Sequence, residues 1–213
     1  MGWSSLAQGG PRALRLDRDY GPFGAAADIS PESLAALEAL IPDGGELWLV
    51  QKEQVTPPPG TIVSRTAPLH QMVAERIAPA TGPIDFVPLG DDDAAEMLAL
   101  ALLTAPGPFA KLTHRFGGFV GIKQHGKLIA MAGERMRLDG LAEVSGVCTL
   151  PEYRGRGYAG ALMRVVAQAI LARGEIPFLH SYASNESAIA LYERLGFRLR
   201  APMVMAILAR KPA

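Results

Sequence analysis

VCTLPEYRGRGYA, residues Val147 to Ala159, decides the fold. It opens on β-favouring residues, breaks at Pro151 and passes through a basic loop with Gly155 and Gly157. It then runs straight into the apolar period of Leu162, Val165, Val166, Ala169 and Ile170. That order reads as strand, loop, helix. A helix N-terminus leaves its first N–H groups without partners and carries partial positive charge, so anions are held there. Glycines let the backbone approach such an anion, and Arg154 and Arg156 add full charges beside it. A bound phosphate or pyrophosphate is the expected occupant, with an ordinary strand-to-helix connection as the alternative.

Three phosphate-loop designs compete here. A Walker loop requires a lysine after its glycines, and none follows. Gly155 to Gly160 matches Gly-x-Gly-x-x-Gly, the dinucleotide fingerprint, but Pro151-Glu152-Tyr153-Arg154 separates it from the strand. Glu175, the acid about twenty positions on, precedes the next apolar run instead of ending it. The third design, Arg/Gln-x-x-Gly-x-Gly/Ala, is met by Arg154, Gly157 and Ala159.

With PFLHSYASNESAIALYERLGF following VCTLPEYRGRGYAGALM in order, the chain from about Ile84 to Ala209 resembles the GNAT superfamily of acyl-CoA-dependent N-acyltransferases, and within it the glycine-N-acyltransferase-like branch. The resemblance implies an α/β fold: a mixed, mostly antiparallel twisted sheet with a central splayed parallel strand pair, flanked by helices. It implies acetyl-CoA as acyl donor and a primary amine of a small molecule, amino acid or peptide as acceptor. Mapped here, the splayed strands are Glu143 to Thr149 and Phe178 to Tyr182. Their unpaired backbone groups would take the amide-bearing pantetheine arm like an added strand, at Val147 and Thr149. The coenzyme-binding set is then Val147, Cys148, Thr149, Arg154, Gly155, Arg156, Gly157, Tyr158 and Ala159, with Asn185 bonding the pantetheine. Cys148 contributes backbone only, because its side chain alternates onto the opposite strand face.

Two residues are expected to carry the chemistry. Tyr192, in Asn-x6-Tyr before Leu-Gly-Phe, matches the family tyrosine that protonates the departing thiolate; a core aromatic is the alternative. Glu143, eleven residues before Arg154, matches the base position of the histone-acetylating relatives, with a water chain, His114 or His180 as alternatives. Charge-assisted hydrogen bonds contribute about 1.5 to 3 kcal/mol each, so three or four to a pyrophosphate supply most of the roughly 8 kcal/mol of a micromolar ligand. The loop backbone should therefore dominate coenzyme affinity.

The 213 residues include 49% apolar but only 7% aromatic side chains, so the core is expected to be aliphatic. Lys plus Arg equals Asp plus Glu at 21 each, which asks for neither nucleic acid nor a membrane surface. A single cysteine excludes an intrachain disulfide and leaves no zinc cluster. Asp91-Asp92-Asp93 reads as helix-terminal acids, so no metal is expected. A soluble cytoplasmic protein follows, and a homodimer stays open. Residues 1–82 read as an N-terminal α/β domain, a reduced GNAT-like half by the resemblance, and 83–213 as the transferase domain. In the first, Ser30-Pro31-Glu32 starts a helix and Glu46 to Val50 forms a strand. Thr61 to Arg65 is a candidate strand, and Leu69 to Ile77 is ambiguous. In the second, Ile84 to Val87 is a strand, His125-Gly126 turns a hairpin, and a pair of β segments fills Phe197 to Leu208. An acyl-CoA sensor without catalysis, and a nicotinamide oxidoreductase using the Gly155 to Gly160 fingerprint, are the competing functions.

Overall fold

The computed structural model describes residues 6–80 and 82–212. Its centre is one eight-stranded sheet, in the order β4-β11-β5-β10-β9-β8-β7-β6. The strands are β4 (Glu46–Gln51), β5 (Thr61–Val73), β6 (Val87–Leu89), β7 (Phe119–Gln124), β8 (Lys127–Leu138), β9 (Leu141–Thr149), β10 (Ile176–Tyr182) and β11 (Arg198–Arg210). A separate three-stranded sheet precedes it: β1 (Ala7–Gly10), β2 (Ala13–Leu16) and β3 (Gly24–Ala26). The helices are α1 (Pro31–Ala39), α2 (Ala94–Thr104), α3 (Tyr158–Ala172) and α4 (Glu186–Leu195). This is the mixed, mostly antiparallel α/β architecture anticipated from the motif.

Local signals act as their chemistry requires. Ser30 accepts from the Ser33 N–H and Pro31 occupies the first turn of α1. α4 ends on Gly196 at φ 105, a left-handed cap open to glycine. Asp91–Asp93 form a 3-10 turn before α2, with Asp93 bonded to the Gly90 N–H.

Two expectations needed correction, and one open reading resolved. β6 begins at Val87 instead of Ile84, because only Leu89 of this stretch turns inward while Phe86 and Val87 stay exposed. The two β segments expected from Phe197 to Leu208 are one strand, β11, in which a bulge at Arg200 replaces the expected break. Leu69 to Ile77 resolves as the second half of β5, which ends at Val73.

β5 lies between β10 and β11, so strands from both sides of residue 82 share the sheet. Pro68 is tolerated inside β5 because pairing with β10 covers only Leu69 to Val73; its missing N–H falls beyond that ladder.

One face of the sheet is covered by α1, packed through Leu37 and Ile41 on Leu47, Leu49 and Leu208. α3 and α4 cover the same face farther along, over Met72, Val144 and Leu179. On the opposite face α2 covers Phe119, Ile129, Met131 and Cys148. Leu69, Met205 and Ile207, with Trp48, Val50 and Met203, form a separate apolar floor on that face beyond α2.

Candidate active site

The parallel pair β9 and β10 is joined only at Leu141↔Ile176, Ala142↔Pro177 and Glu143↔Phe178. Beyond that point the strands part, each held from its outer side: Val144 to Thr149 by β8 and Leu179 to Tyr182 by β5. The fork opens toward the α3 N-terminus. β9 also carries a bulge, since Gly133 and Met131 of β8 oppose Ser145 and Cys148, and Gly146 sits there at φ 62. The bulge sets Val147 on the α3 face and Cys148 on the α2 face. Burial raises the Cys148 thiol to about 11, which leaves it a neutral core side chain.

A cavity of about 520 Å³ fills the fork. It is lined by Val147, Cys148, Thr149, Arg154, Gly155, Arg156, Gly157, Tyr158, Ala159, Asn185 and Tyr192, so these candidate residues meet in one place. Gly155 and Gly157 have φ 77 and 79, and a Cβ at either would meet no protein atom within 4 Å. The first α3 bond is Ala161 N–H to Gly157 C=O, which leaves the N–H groups of the preceding turn free for an anion. Thr149 Oγ1 is buried without a partner in the same wall. Open space over two left-handed glycines, free amides and an orphaned hydroxyl fit a pyrophosphate-bearing coenzyme with an amide arm. The two arginines are already engaged: Arg154 Nε donates to Thr149 C=O at 3.3 Å, and the Arg156 guanidinium lies 5.0 Å from the Tyr153 ring centre. Asn185 Oδ1 caps α4, accepting from the Ala188 N–H and the Ser187 hydroxyl at 3.3 and 3.2 Å.

Tyr192 packs edge-on against Phe197 at 6.4 Å and borders the cavity. Burial raises its phenol, which therefore stays protonated at neutral pH. Glu143 sits differently from a solvent-facing base. It is 1% exposed and is absent from the cavity lining; both its oxygens accept from Arg135 at 2.9 Å, and His180 Nδ1 lies 2.9 Å from Oε1. Burial opposes its ionisation, but Arg135 and His180 overcome this and hold the carboxyl at about 2. His180 lines the cavity, whereas His114 is buried elsewhere against Asp91 at 2.8 Å.

A structure from Novosphingobium aromaticivorans, assigned to the acetyltransferases of the GNAT family, is 53% identical and superposes with a TM-score of 0.92 over 98% of this chain and 93% of that one. The chain belongs to the GNAT family. The FR47-like protein family model matches residues 119–205. A GCN5-related N-acetyltransferase from Kribbella flavida shares the fold at 18% identity, with a TM-score of 0.67 over 100% of this chain and 92% of that one. No curated protein matches the sequence, and the glycine-N-acyltransferase-like branch is not singled out by these matches. This GNAT acetyltransferase has no helix long and apolar enough to cross a membrane, and no metal-ligand cluster, among the described residues.

Sequence reasoning missed one wall of the fork cavity. Phe23, Trp48, Val50, Leu69 and Met205 line the fork cavity although they precede or follow the motif by long stretches. A second cavity of about 810 Å³ shares Phe23, Val50, Met136 and His180 with the first. No local pattern marks such residues; only the insertion of β5 between β10 and β11 brings them together.

Proposed function

We propose that this GNAT enzyme transfers an acetyl or short acyl group from coenzyme A to a primary amine that carries an apolar body. The observation that carries the reading is the fork: unpaired strand edges, the free-amide glycine loop and Tyr192 all border one cavity. Bound in this fork, the coenzyme supplies an activated thioester. The Gly155 to Ala159 backbone holds its pyrophosphate, and Val147 and Thr149 align its amide arm along β9. Asn185 keeps its amide nitrogen available to the same arm. The Tyr192 phenol gives its proton to the leaving thiolate. At ordinary values that transfer is uphill by roughly 2 kcal/mol, so the phenol acts by neutralising charge as it develops, through position rather than acid strength.

The acceptor preference rests on the floor opposite α3 and α4. Trp48, Val50, Leu69, Met203 and Met205 offer apolar and polarisable surface. Arg65 stacks over Tyr182 at 5.5 Å, and Arg135 over Phe23 at 4.8 Å. Arg65, unlike Arg135 whose charge Glu143 balances, disfavours an ammonium acceptor and favours the neutral, nucleophilic amine.

Calorimetry with acetyl-CoA, coenzyme A, NADH and ATP, followed by thiol release on an acceptor panel, tests the reading. Selective acetyl-CoA binding and turnover with apolar monoamines or apolar amino acids supports it. Preference for polyamines overturns the acceptor class. Binding without release on any acceptor favours a sensor, and preference for NADH overturns the transferase.

A further inference from the structure

We infer that His180 is the base that takes the acceptor's proton, with Glu143 and Gln71 fixing its tautomer; this rests on the transferase reading above. Four side chains set the imidazole. Arg200 Nη1 donates to Gln71 Oε1 at 2.5 Å, which leaves the Gln71 amide nitrogen as the atom facing His180 Nε2 at 3.1 Å. An amide nitrogen only donates, so His180 Nε2 is the acceptor and carries no proton. Nδ1 then carries the proton and donates it to Glu143 Oε1 at 2.9 Å. Arg135 holds that carboxylate ionised by two bonds of 2.9 Å. The result is an unprotonated Nε2 facing the floor, on a ring whose Nδ1–H is anchored to a buried carboxylate.

Strand irregularities build this chain of contacts. Arg200 is the extra residue of the β11 bulge, between Leu199↔Met72 and Ala201↔Gln71. Arg135 lies in the β8 bulge, where Glu134↔Val144 and Arg137↔Ala142 leave Arg135 and Met136 opposite Glu143. Each bulge re-aims an arginine that a regular strand would send elsewhere. His180 stands two residues past the last pair of the fork, Glu143↔Phe178, at its closed end. An arm entering from Gly157 along β9 brings its acyl end there.

His180 also belongs to the wall shared by the two cavities. Its side chain is 12% exposed, and as the direct partner of Gln71 it lies on the floor side of the sheet. Tyr192 is on the α4 side. Base and acid thus flank the fork from opposite faces. An acceptor amine arriving over the floor replaces the Gln71 N–H at Nε2. As the new C–N bond forms at the acyl carbon and the C–S bond breaks, one amine proton passes to Nε2. The Tyr192 proton passes to sulfur, and exchange with solvent returns both residues to their starting states.

The test compares wild type, His180→Gln and His180→Ala with acetyl-CoA and an acceptor found for the wild type. Both variants should bind acetyl-CoA within about twofold of wild type by calorimetry, which shows the fold and fork intact. Both should lose on the order of 10²-fold or more in kcat, the usual contribution of a positioned base. Added imidazole should restore part of the His180→Ala activity and none of the His180→Gln activity. Turnover of either variant within a few fold of wild type, at unchanged coenzyme affinity, overturns the base role and leaves the transferase standing. A wild type that binds no acetyl-CoA overturns the transferase reading and the base role with it.

Discussion

Tyr192 and Glu143 both matched motif positions, yet their surroundings divide them. Tyr192 borders the cavity with a phenol that burial keeps protonated. Tyr192→Phe should lower kcat about tenfold or more while coenzyme affinity by calorimetry stays near wild type; unchanged turnover would reject the acid role. Glu143 is locked between Arg135 and His180 with its carboxyl at about 2. A folded value below the unfolded one means that this carboxylate stabilises the fold fully above the ordinary value near 4.5, and that the contribution fades as pH falls toward 2. Glu143→Gln leaves Arg135 buried without its counter-charge, so urea denaturation at neutral pH should show a loss of about 3 to 5 kcal/mol. The difference from wild type should narrow below pH 4.5; a loss that stays constant down to pH 2 would exclude the ion pair as its source. The motif spacing located Glu143 and gave no sign of its partners, because Arg135 reaches it only through the bulge in β8 and His180 comes from β10, 37 residues on.

At the scale of elements, the loop before α3 was legible because its chemistry is local. Glycines at φ 77 and 79 and a run of free amides follow from thirteen consecutive residues. Gly157→Val places a side chain in a left-handed backbone position, which costs on the order of 1 to 3 kcal/mol, and fills the space above the amides. Calorimetry should find acetyl-CoA affinity lowered beyond a hundredfold. Arg156→Ala should lower it only several fold, since that guanidinium is occupied with Tyr153. Near-normal affinity in the glycine variant would remove the loop from the binding site. Strand ends and continuity were harder to read. The pair of β segments expected from Phe197 to Leu208 is one strand, because a bulge at Arg200 absorbs the irregularity while pairing with β5 continues on both sides. Likewise, Ile84 and Phe86 are apolar but lie outside the ladder that Val87 begins with Gly121.

Over the whole molecule, β5 decides what can stand alone. It pairs with β10 on one side and β11 on the other, and β11 also carries β4. A fragment of residues 83–213 would keep the motif, α3 and α4, but would lack both strands that hold β11 in the sheet. Its unfolding, followed by circular dichroism, should show no cooperative transition, and the fragment should bind no acetyl-CoA; a sharp transition would make residues 83–213 an independent domain. The sequence reading divided the chain after residue 82, and sequence alone carries no sign that a strand on one side pairs in a sheet with strands on the other.

The same strand constrains the birth of the protein. At ribosomal rates of about 5 to 20 residues per second, Gln71 emerges about 5 to 20 seconds before His180, 109 residues later. During that interval the nascent chain carries a long strand with no neighbour, the kind of edge that seeds intermolecular pairing. Arg65 and Pro68 interrupt its apolar run. A charge and a missing donor inside the strand are the features that weaken such edge pairing before β10 and β11 arrive.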